Sequence, residues 1–293
     1  MPRSVTRVAL ATYTELPNLN DDDRLLIEAL AALGVSAQPA VWGAPEVRWE
    51  GFGAVVIRSC WDYHQRLPEF LSWVEMLERL KVPVWNRPDL LRWNSHKGYL
   101  RDLARVGVAT VPTRWLTQGA RAALADVLRT EGWPAAVVKP AVSASAHGTW
   151  RTSLADAARD QARFHALLVH GDAMVQPYLD EVRDPGEWSL VYLGGRFSHA
   201  VLQRPAPGDF RVQVAYGGTA LACDPPRHLI ADAGAVLATL PTEPVYARID
   251  GVERGGRLVL SELELIEPHL FLQTDPAAAP RLARALAAAL GAL

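Results

Sequence analysis

The stretch that most constrains this chain is a C-terminal hairpin rich in carboxylates. Residues 245–268 read as two strands around a turn holding Gly251, Gly255 and Gly256. The first strand ends Tyr246-Ala247-Arg248-Ile249-Asp250, and the second runs from Arg257 to Pro268. Side chains on a strand alternate faces. Regular alternation puts Leu258, Leu260, Glu262 and Glu264 on one face, with Ile266 beyond them. Two carboxylates then continue an apolar row, which is costly unless a cation faces them. Asp250 joins them from across the hairpin. Three hard oxygen donors on adjacent strands suit Mg²⁺, which takes one or two protein carboxylates plus substrate phosphates. The same residues also read as an exposed acidic edge paired with Arg248 and Arg257. The hairpin by itself leaves both readings open.

A chain of 293 residues has room for two or three compact units and a sizeable core. Its formal net charge of −2 gives no basic excess for nucleic acid or an anionic membrane. No apolar run is long enough to span a bilayer. Residues 1–7 lack the apolar region and cleavage site of a signal peptide. Cys60 and Cys223, without metal-type spacing, read as free thiols of a reducing cytoplasm.

Strand-like runs at 5–11, 35–42, 52–57 and 82–85 alternate with helical stretches at 21–33 and 68–80. That alternation implies a parallel sheet with helices on its faces. Ligands in such sheets sit at the carboxyl ends of strands, which draws attention to Arg58-Ser59-Cys60-Trp61-Asp62-Tyr63-His64. This loop reads either as a substrate loop or as a capped turn with Trp61 in the core. Residues 86–94 read as a connection, and a helix from about Ser95 carries Lys97, Tyr99, Leu100 and Leu103.

A second unit holds a helix near 120–129 and the strand Ala135-Ala136-Val137-Val138-Lys139-Pro140. A lysine ending a buried strand needs an anion or a route to solvent. The small residues of 141–149 that follow, Ser143 and Ser145 among them, let backbone N–H groups approach a phosphate. After a helix at 156–169, Gln176-Pro177-Tyr178-Leu179 is a short strand and connection. Residues 187–202 form a hairpin around Gly194-Gly195. Taken singly, Lys97 reads as a solvated helix lysine, and Arg211 as half of a surface pair with Asp209. His147 and His199 read as packing or solvent residues. No His/Cys cluster supports zinc. No Gly-x-Ser-x-Gly elbow supports a hydrolase, and no glycine-rich first turn supports a dinucleotide-binding dehydrogenase.

In order, Lys97, Lys139, Glu187, Arg211, Asp250, Glu262 and Glu264 resemble the ATP-grasp superfamily of carboxylate–amine ligases over nearly the whole chain. Lys97 and Lys139 match the two nucleotide lysines, and 176–179 matches the hinge where adenine docks. Gly208-Asp209-Phe210-Arg211 is similar to the arginine segment of the glutamate ligases that modify ribosomal proteins. Asp250 and Glu262 match the two magnesium acids. The superfamily's Glu-x-Asn becomes Glu262-Leu263-Glu264 here, and the phosphate loop is poorer in glycine than in most members. A narrower resemblance, carried by Arg58 to Tyr63, Trp93-Asn94, Lys139 to Ala144 and Glu262 to Pro268, points to the cyclo-ligase branch of cycloserine biosynthesis, which acts on O-ureido-serine.

The resemblance implies an α/β chain with three parts. These are an N-terminal Rossmann-like pre-ATP-grasp domain at 1–93, a central lobe at 94–178 and a C-terminal lobe at 179–293, the two lobes clamping ATP. It implies that Lys97, Lys139, Ser143, Ser145, Gln176, Tyr178, Leu179 and Glu187 hold the nucleotide. Asp250, Glu262 and Glu264 would hold one or two Mg²⁺ ions, with Mn²⁺ able to substitute. Arg211 would steady the phosphoryl group in transfer. Arg58, Ser59, Tyr63 and His269 would hold a small amino-acid-like substrate. A homodimer is allowed. The other readings are a ligase joining an amino acid to a separate amine, and a non-catalytic nucleotide-binding module.

Overall fold

The computed structural model describes residues 7–291, built around three sheets. The sequence also reads as a closing helix over 275–293; residues 292 and 293 of it, and residues 5 and 6 of the expected first strand, lie outside the described residues. The first sheet comprises β1 (Arg7–Thr12), β2 (Ser36–Val41), β3 (Ala54–Ser59) and β4 (Val84–Trp85), with α1 (Asp21–Ala31) and α2 (Leu67–Arg79) between them. Its order is β2-β1-β3-β4, all parallel. The central strands β1 and β3 are buried beyond Arg7 and mostly apolar, as helices on both faces require. Asn20 caps α1 by accepting from the Asp23 amide at 2.7 Å. On α2, Phe70, Trp73, Val74 and Leu77 make one buried stripe of helical period.

Residues expected as a bare connection instead contain α3 (Pro88–Asn94). Its proline sits in the first turn, where the missing N–H has no intrahelical partner to lose. The helix that follows starts later than its apolar spacing suggests. α4 spans Tyr99–Arg105, and Lys97 stands in the turn before it.

The second sheet is antiparallel, in the order β5-β8-β6-β7. It is built from β5 (Arg114–Leu116), α5 (Leu124–Glu131), β6 (Ala135–Pro140), β7 (Trp150–Ser153), α6 (Ala157–His170) and β8 (Ala173–Pro177). Leu124, Leu128, Phe164 and Leu168 of α5 and α6 cover one face, against Val138 and Val175. Val137, Lys139 and Gln176 point to the other.

The third sheet is antiparallel in the order β11-β10-β9-β12-β13. Its elements are β9 (Glu187–Leu193), β10 (Arg196–Arg204), β11 (Thr219–Ala222), α7 (Arg227–Ala238), β12 (Tyr246–Arg254) and β13 (Arg257–Glu264). α4 and α7 pack one face through Leu100, Leu103, Leu229 and Val236. The last helix, α8 (Ala278–Ala289), returns to the first unit, where Leu282, Ala283 and Leu286 join Leu26 and Leu30 of α1.

The hairpin departs from regular alternation at one place. Asp250 pairs with Glu262, but Gly251 pairs with Leu260, so Ser261 is an extra residue on β13. Leu258 and Leu260 therefore share the helix-packed face with Leu263 and Leu265. Glu262 and Glu264 fall on the opposite face. The carboxylates do not continue the apolar row. Gly251 is needed there, because a Cβ would lie 2.5 Å from the Val259 carbonyl oxygen. The outer edge of β13 is held by side chains. Asn94 donates to the Leu263 carbonyl at 2.8 Å and accepts from the Leu265 amide at 2.9 Å, and the Tyr99 hydroxyl accepts from the Leu263 amide at 3.0 Å.

Arg58 and Ser59, expected as substrate ligands, are fully buried beneath the hairpin. Arg58 Nε donates to Asp23 at 2.9 Å and its terminal nitrogen donates to the Pro268 carbonyl at 2.6 Å. The guanidinium lies 4.8 Å from the centre of the Tyr246 ring. Ser59 donates to the other Asp23 oxygen at 2.6 Å. Their polar contacts are spent inside the fold, Arg58 joining the first sheet to the end of the hairpin and Ser59 joining it to the start of α1, rather than facing the cleft. Arg58→Ala leaves Asp23 as a buried unpaired charge, so we expect a stability loss of about 3–5 kcal/mol, read as a lower urea midpoint. An unchanged midpoint with lost activity would return Arg58 to the site.

Candidate active site

The free faces of the second and third sheets enclose a cleft of about 610 Å³. Lys97, Lys139, Ser143, Ser145, Gln176, Tyr178, Leu179, Glu187, Arg211, Asp250, Glu262, Glu264, Tyr63 and His269 all line it. Of the expected site residues, only Arg58 and Ser59 do not.

One end is bordered by the connection between the sheets. Gln176 donates to Thr113 Oγ1 at 2.9 Å, and the Tyr178 amide donates to the Ala135 carbonyl at 3.0 Å. Arg151 stacks 4.1 Å from the Tyr178 ring centre, and Leu179 packs with Val111 and Val252. These contacts border that end of the cleft with both polar and apolar atoms.

The middle is a row of carboxylates facing two lysines. Alternation along β9 and β12 brings Glu187, Ser189, Arg248 and Asp250 to the cleft face, and the Ser261 bulge adds Glu262 and Glu264. Asp250 accepts from Ser189, which in turn accepts from Gln203 at 2.8 Å. Arg248 bridges Asp250, with Nε at 2.9 Å, and Glu264. Lys97 forms an ion pair with Glu262 across the cleft, while its amide donates to the Ala141 carbonyl at 2.7 Å. Ser261 donates to Glu187. Among the described residues no three His, Cys, Asp or Glu side chains converge into a metal cage. Arg248 stands between Asp250 and Glu264 and holds both. Asp250 and Glu262 remain a directly opposed cross-strand pair.

Crowding and burial shift these groups. Burial, then the neighbouring Asp250, pushes Glu187 up to about 7. Burial also holds Glu264 well above the usual carboxylate range, against the pull of Arg248. Glu262 is half-buried, and Lys97 and Lys139 outweigh the cost of that burial and hold it below the usual value. Burial and the nearby Lys97 lower Lys139, opposed by Glu262 and Glu187. The site therefore has more carboxylate than its two lysines and one arginine fully offset.

Two loops roof the cleft. Ser143 donates to the Pro140 carbonyl at 3.3 Å, and Tyr216 donates to the Ser145 carbonyl at 3.3 Å, joining loop 141–149 to segment 209–217. Arg211 pairs with Asp209 through Nε at 3.1 Å and a terminal nitrogen at 2.7 Å, and stacks 3.6 Å from the Tyr216 ring centre. The far end is formed by Trp61, Tyr63, Glu267, His269, Phe271 and Gln273.

Trp61 donates to the Glu267 carbonyl at 3.3 Å, and Tyr63 is buried. His199 is a packing residue, its Nε2 sitting 2.8 Å from the Leu270 carbonyl, and His147 packs against His64. Sequence reasoning missed Arg248 as a member of the site, reading it only as an edge partner. Its place two residues before Asp250 was the available signal. Glu267 stood out only as part of the run Glu262 to Pro268, and Gln273 carried no local signal.

The N-terminal domain family of D-cycloserine synthetase DcsG matches residues 8–86. The cycloserine biosynthesis protein DcsG of Streptomyces lavendulae is 35% identical over 297 residues, covering 95% of this chain and 97% of that protein. The chain belongs to the DcsG family. A crystal structure of D-cycloserine synthetase DcsG is 31% identical, covers 97% of this chain and 99% of its own, and superposes with a TM-score of 0.87. A RimK domain ATP-grasp protein from Sphaerobacter thermophilus, 19% identical with a TM-score of 0.70, shares the fold over 96% of this chain and 98% of its own. DcsG family membership and that fold make the chain an ATP-grasp ligase.

Glu267 gives a pH test of the cleft's electrostatics. Burial pushes its carboxyl up to about 8. The folded state then keeps a proton that the unfolded chain releases above its ordinary value near 4.5. This costs stability as pH rises from about 4.5 to 8. Glu267→Gln is therefore expected to raise Tm at pH 8.5, with the gain shrinking toward pH 5. A gain independent of pH would contradict the raised value.

Proposed function

We propose that this chain is an ATP-dependent cyclo-ligase that converts O-ureido-D-serine to D-cycloserine, with release of CO₂, ammonia, ADP and phosphate. The observation that supports this most is the row of carboxylates on β9, β12 and β13 facing Lys97 and Lys139 across one cleft. The substrate is suggested by the activity named for the DcsG relatives. Residues 94–178 and 179–293 serve as the two lobes of the clamp. The free thiols Cys60 and Cys223 agree with a reducing cytoplasm.

In this reading Gln176, Tyr178 and Leu179 border the base. Lys97, Lys139 and the loop of Ser143 and Ser145 take the phosphates, with Glu187 beside them. The uncompensated oxygen donors fit a hard divalent cation, and Asp250 and Glu262 would hold Mg²⁺, as one or two ions, with Glu264 next in the row and Mn²⁺ able to substitute. When bound, Mg²⁺ neutralises the charge that moves between the phosphates. Lys97 exchanges Glu262 for a phosphate oxygen. Arg211 exchanges Asp209 for the phosphoryl group, a contact its planar fork suits better than an ammonium would.

Tyr63 and His269 line the end that takes the amino acid. A carboxylate is a poor electrophile, and phosphorylation turns one of its oxygens into a leaving group. The ureido nitrogen of the same molecule attacks the acyl carbon and phosphate departs. The carbamoyl group is then lost with one water as CO₂ and ammonia. Tethering supplies an effective molarity up to about 10⁵–10⁸ M, so the protein mainly positions groups and offsets charge.

The test is incubation with Mg²⁺, ATP and O-ureido-D-serine, following cycloserine by mass together with phosphate. We expect one phosphate per ring formed. Asp250→Asn and Glu262→Gln are expected to lower turnover by roughly 100-fold or more with little change in Tm. Phosphate release only with another amino acid plus an amine would overturn the cyclisation and make the enzyme an intermolecular ligase.

A further inference from the structure

The acidic start of α1 reads at first as helix-dipole chemistry, but two of its three aspartates are buried. Asp23 is consumed by Arg58 and Ser59. Asp22 is 3% exposed. One of its oxygens accepts from the Gln273 amide at 2.9 Å. The other, Oδ2, is buried without a hydrogen-bond partner and lies 3.9 Å from Nε2 of His269. His269 lines the cleft. Its carbonyl accepts from Arg248 at 3.0 Å, and the same arginine holds Asp250 and Glu264. The ring also packs edge-on to Phe271, with centroids 4.5 Å apart. An imidazole is thus fixed beside the carboxylate row, with a buried carboxylate behind it and the cleft in front.

We propose that His269 is the catalytic base of the ring-closing step and that Asp22 is the positioning residue that orients it. This inference rests on the cyclisation reading above. The ureido N–H is a weak acid, and its nitrogen cannot become the neutral ring amide without losing that proton. In the step, the nitrogen lone pair forms the C–N bond to the acyl carbon. The C–O bond to the phosphoryl group breaks, and phosphate leaves with that electron pair. The N–H proton passes to the His269 ring nitrogen not turned to Asp22. The imidazolium formed is stabilised by Asp22 and returns the proton to phosphate or water.

The groups facing the ring support a neutral resting state. Asp22 and Asp23 approach from α1, Arg58 from β3 and Arg248 from β12. Burial, with Arg248 and Arg58, outweighs the aspartates and holds the imidazole below its ordinary value of 6.5. At neutral pH the ring is therefore free to accept a proton.

The test separates the two halves of the reaction. Substrate-dependent scrambling of ¹⁸O within labelled ATP reports acyl phosphate formation, and cycloserine reports ring closure. For His269→Gln, which keeps the backbone contact to Arg248, we expect scrambling to persist while ring closure falls by about 10²–10⁴-fold. The KM for substrate should change little. For Asp22→Asn, which keeps the acceptor for Gln273, the acid limb of the kcat/KM profile should move to lower pH.

Ring closure within about threefold of wild type in His269→Gln, with an unchanged acid limb, would overturn the proposal. So would a proportional loss of scrambling and closure, which is the signature of a binding role. A wild-type protein that forms no ring from O-ureido-D-serine would overturn the substrate reading and this inference with it. A wild type that closes the ring beside an unimpaired variant would overturn this inference alone.

Discussion

Glu262 and Glu264 reach the cleft because Ser261 adds one residue to β13 opposite the Asp250–Gly251 step. In an unbroken ladder both carboxylates would share the face of Leu258 and Leu260, packed under α4 and α7. Burial there without a partner would be prohibitive. The bulge reverses the alternation once, so Leu258, Leu260, Leu263 and Leu265 pack on the helix-covered face while Glu262 and Glu264 point to the cleft. Gly251 makes room for it, and Asn94 and Tyr99 pin the shifted strand by its backbone. Much of the architecture can be read as support for that irregular strand. Arg58 and Tyr246 hold the hairpin from below, and the Tyr246 hydroxyl sits 2.7 Å from the Ile57 carbonyl and 3.0 Å from the Ile266 carbonyl.

The cost of this arrangement is concentrated charge. Four carboxylates lie on one sheet face, and Lys97 and Arg248 partner three of them, with Ser261 on the fourth. The raised values of Glu187 and Glu264 register the shortfall. A site left in this condition favours any ligand that brings positive charge with it, which a metal-bound polyphosphate does. Lys97 links two parts of the response. Its ammonium pairs with Glu262 of the third sheet and its backbone amide holds the loop after β6 of the second. Movement of the ammonium from carboxylate to phosphate would therefore be felt by the loop.

Local alternation made part of this legible. The bounds of β6 and β9 follow from their apolar runs, and the acids of the hairpin stand out against their neighbours. The parallel first sheet follows from strands alternating with helices. The bulge was not legible, because it is a property of the pairing between two strands and neither strand carries it alone. Arg58 shows the same limit. A cation at the carboxyl end of a parallel strand looks like a ligand for substrate, and only the fold reveals that Asp23 and the Pro268 carbonyl already hold it. Asp22 was hidden for a similar reason, since its partners are 247 and 251 residues away in sequence. α3 was missed because a proline that opens a helix and one that breaks a strand look alike without the turn that follows.

The central claim is that the cross-strand pair Asp250 and Glu262 receives a metal-bound nucleotide and that Lys97 changes partner when it arrives. A crystal structure with Mg²⁺ and a non-hydrolysable ATP analogue tests this most directly. The account predicts metal bound to oxygens of both Asp250 and Glu262, with the Lys97 ammonium on a phosphate oxygen. A structure in which Lys97 stays on Glu262 and the metal touches neither acid would contradict it.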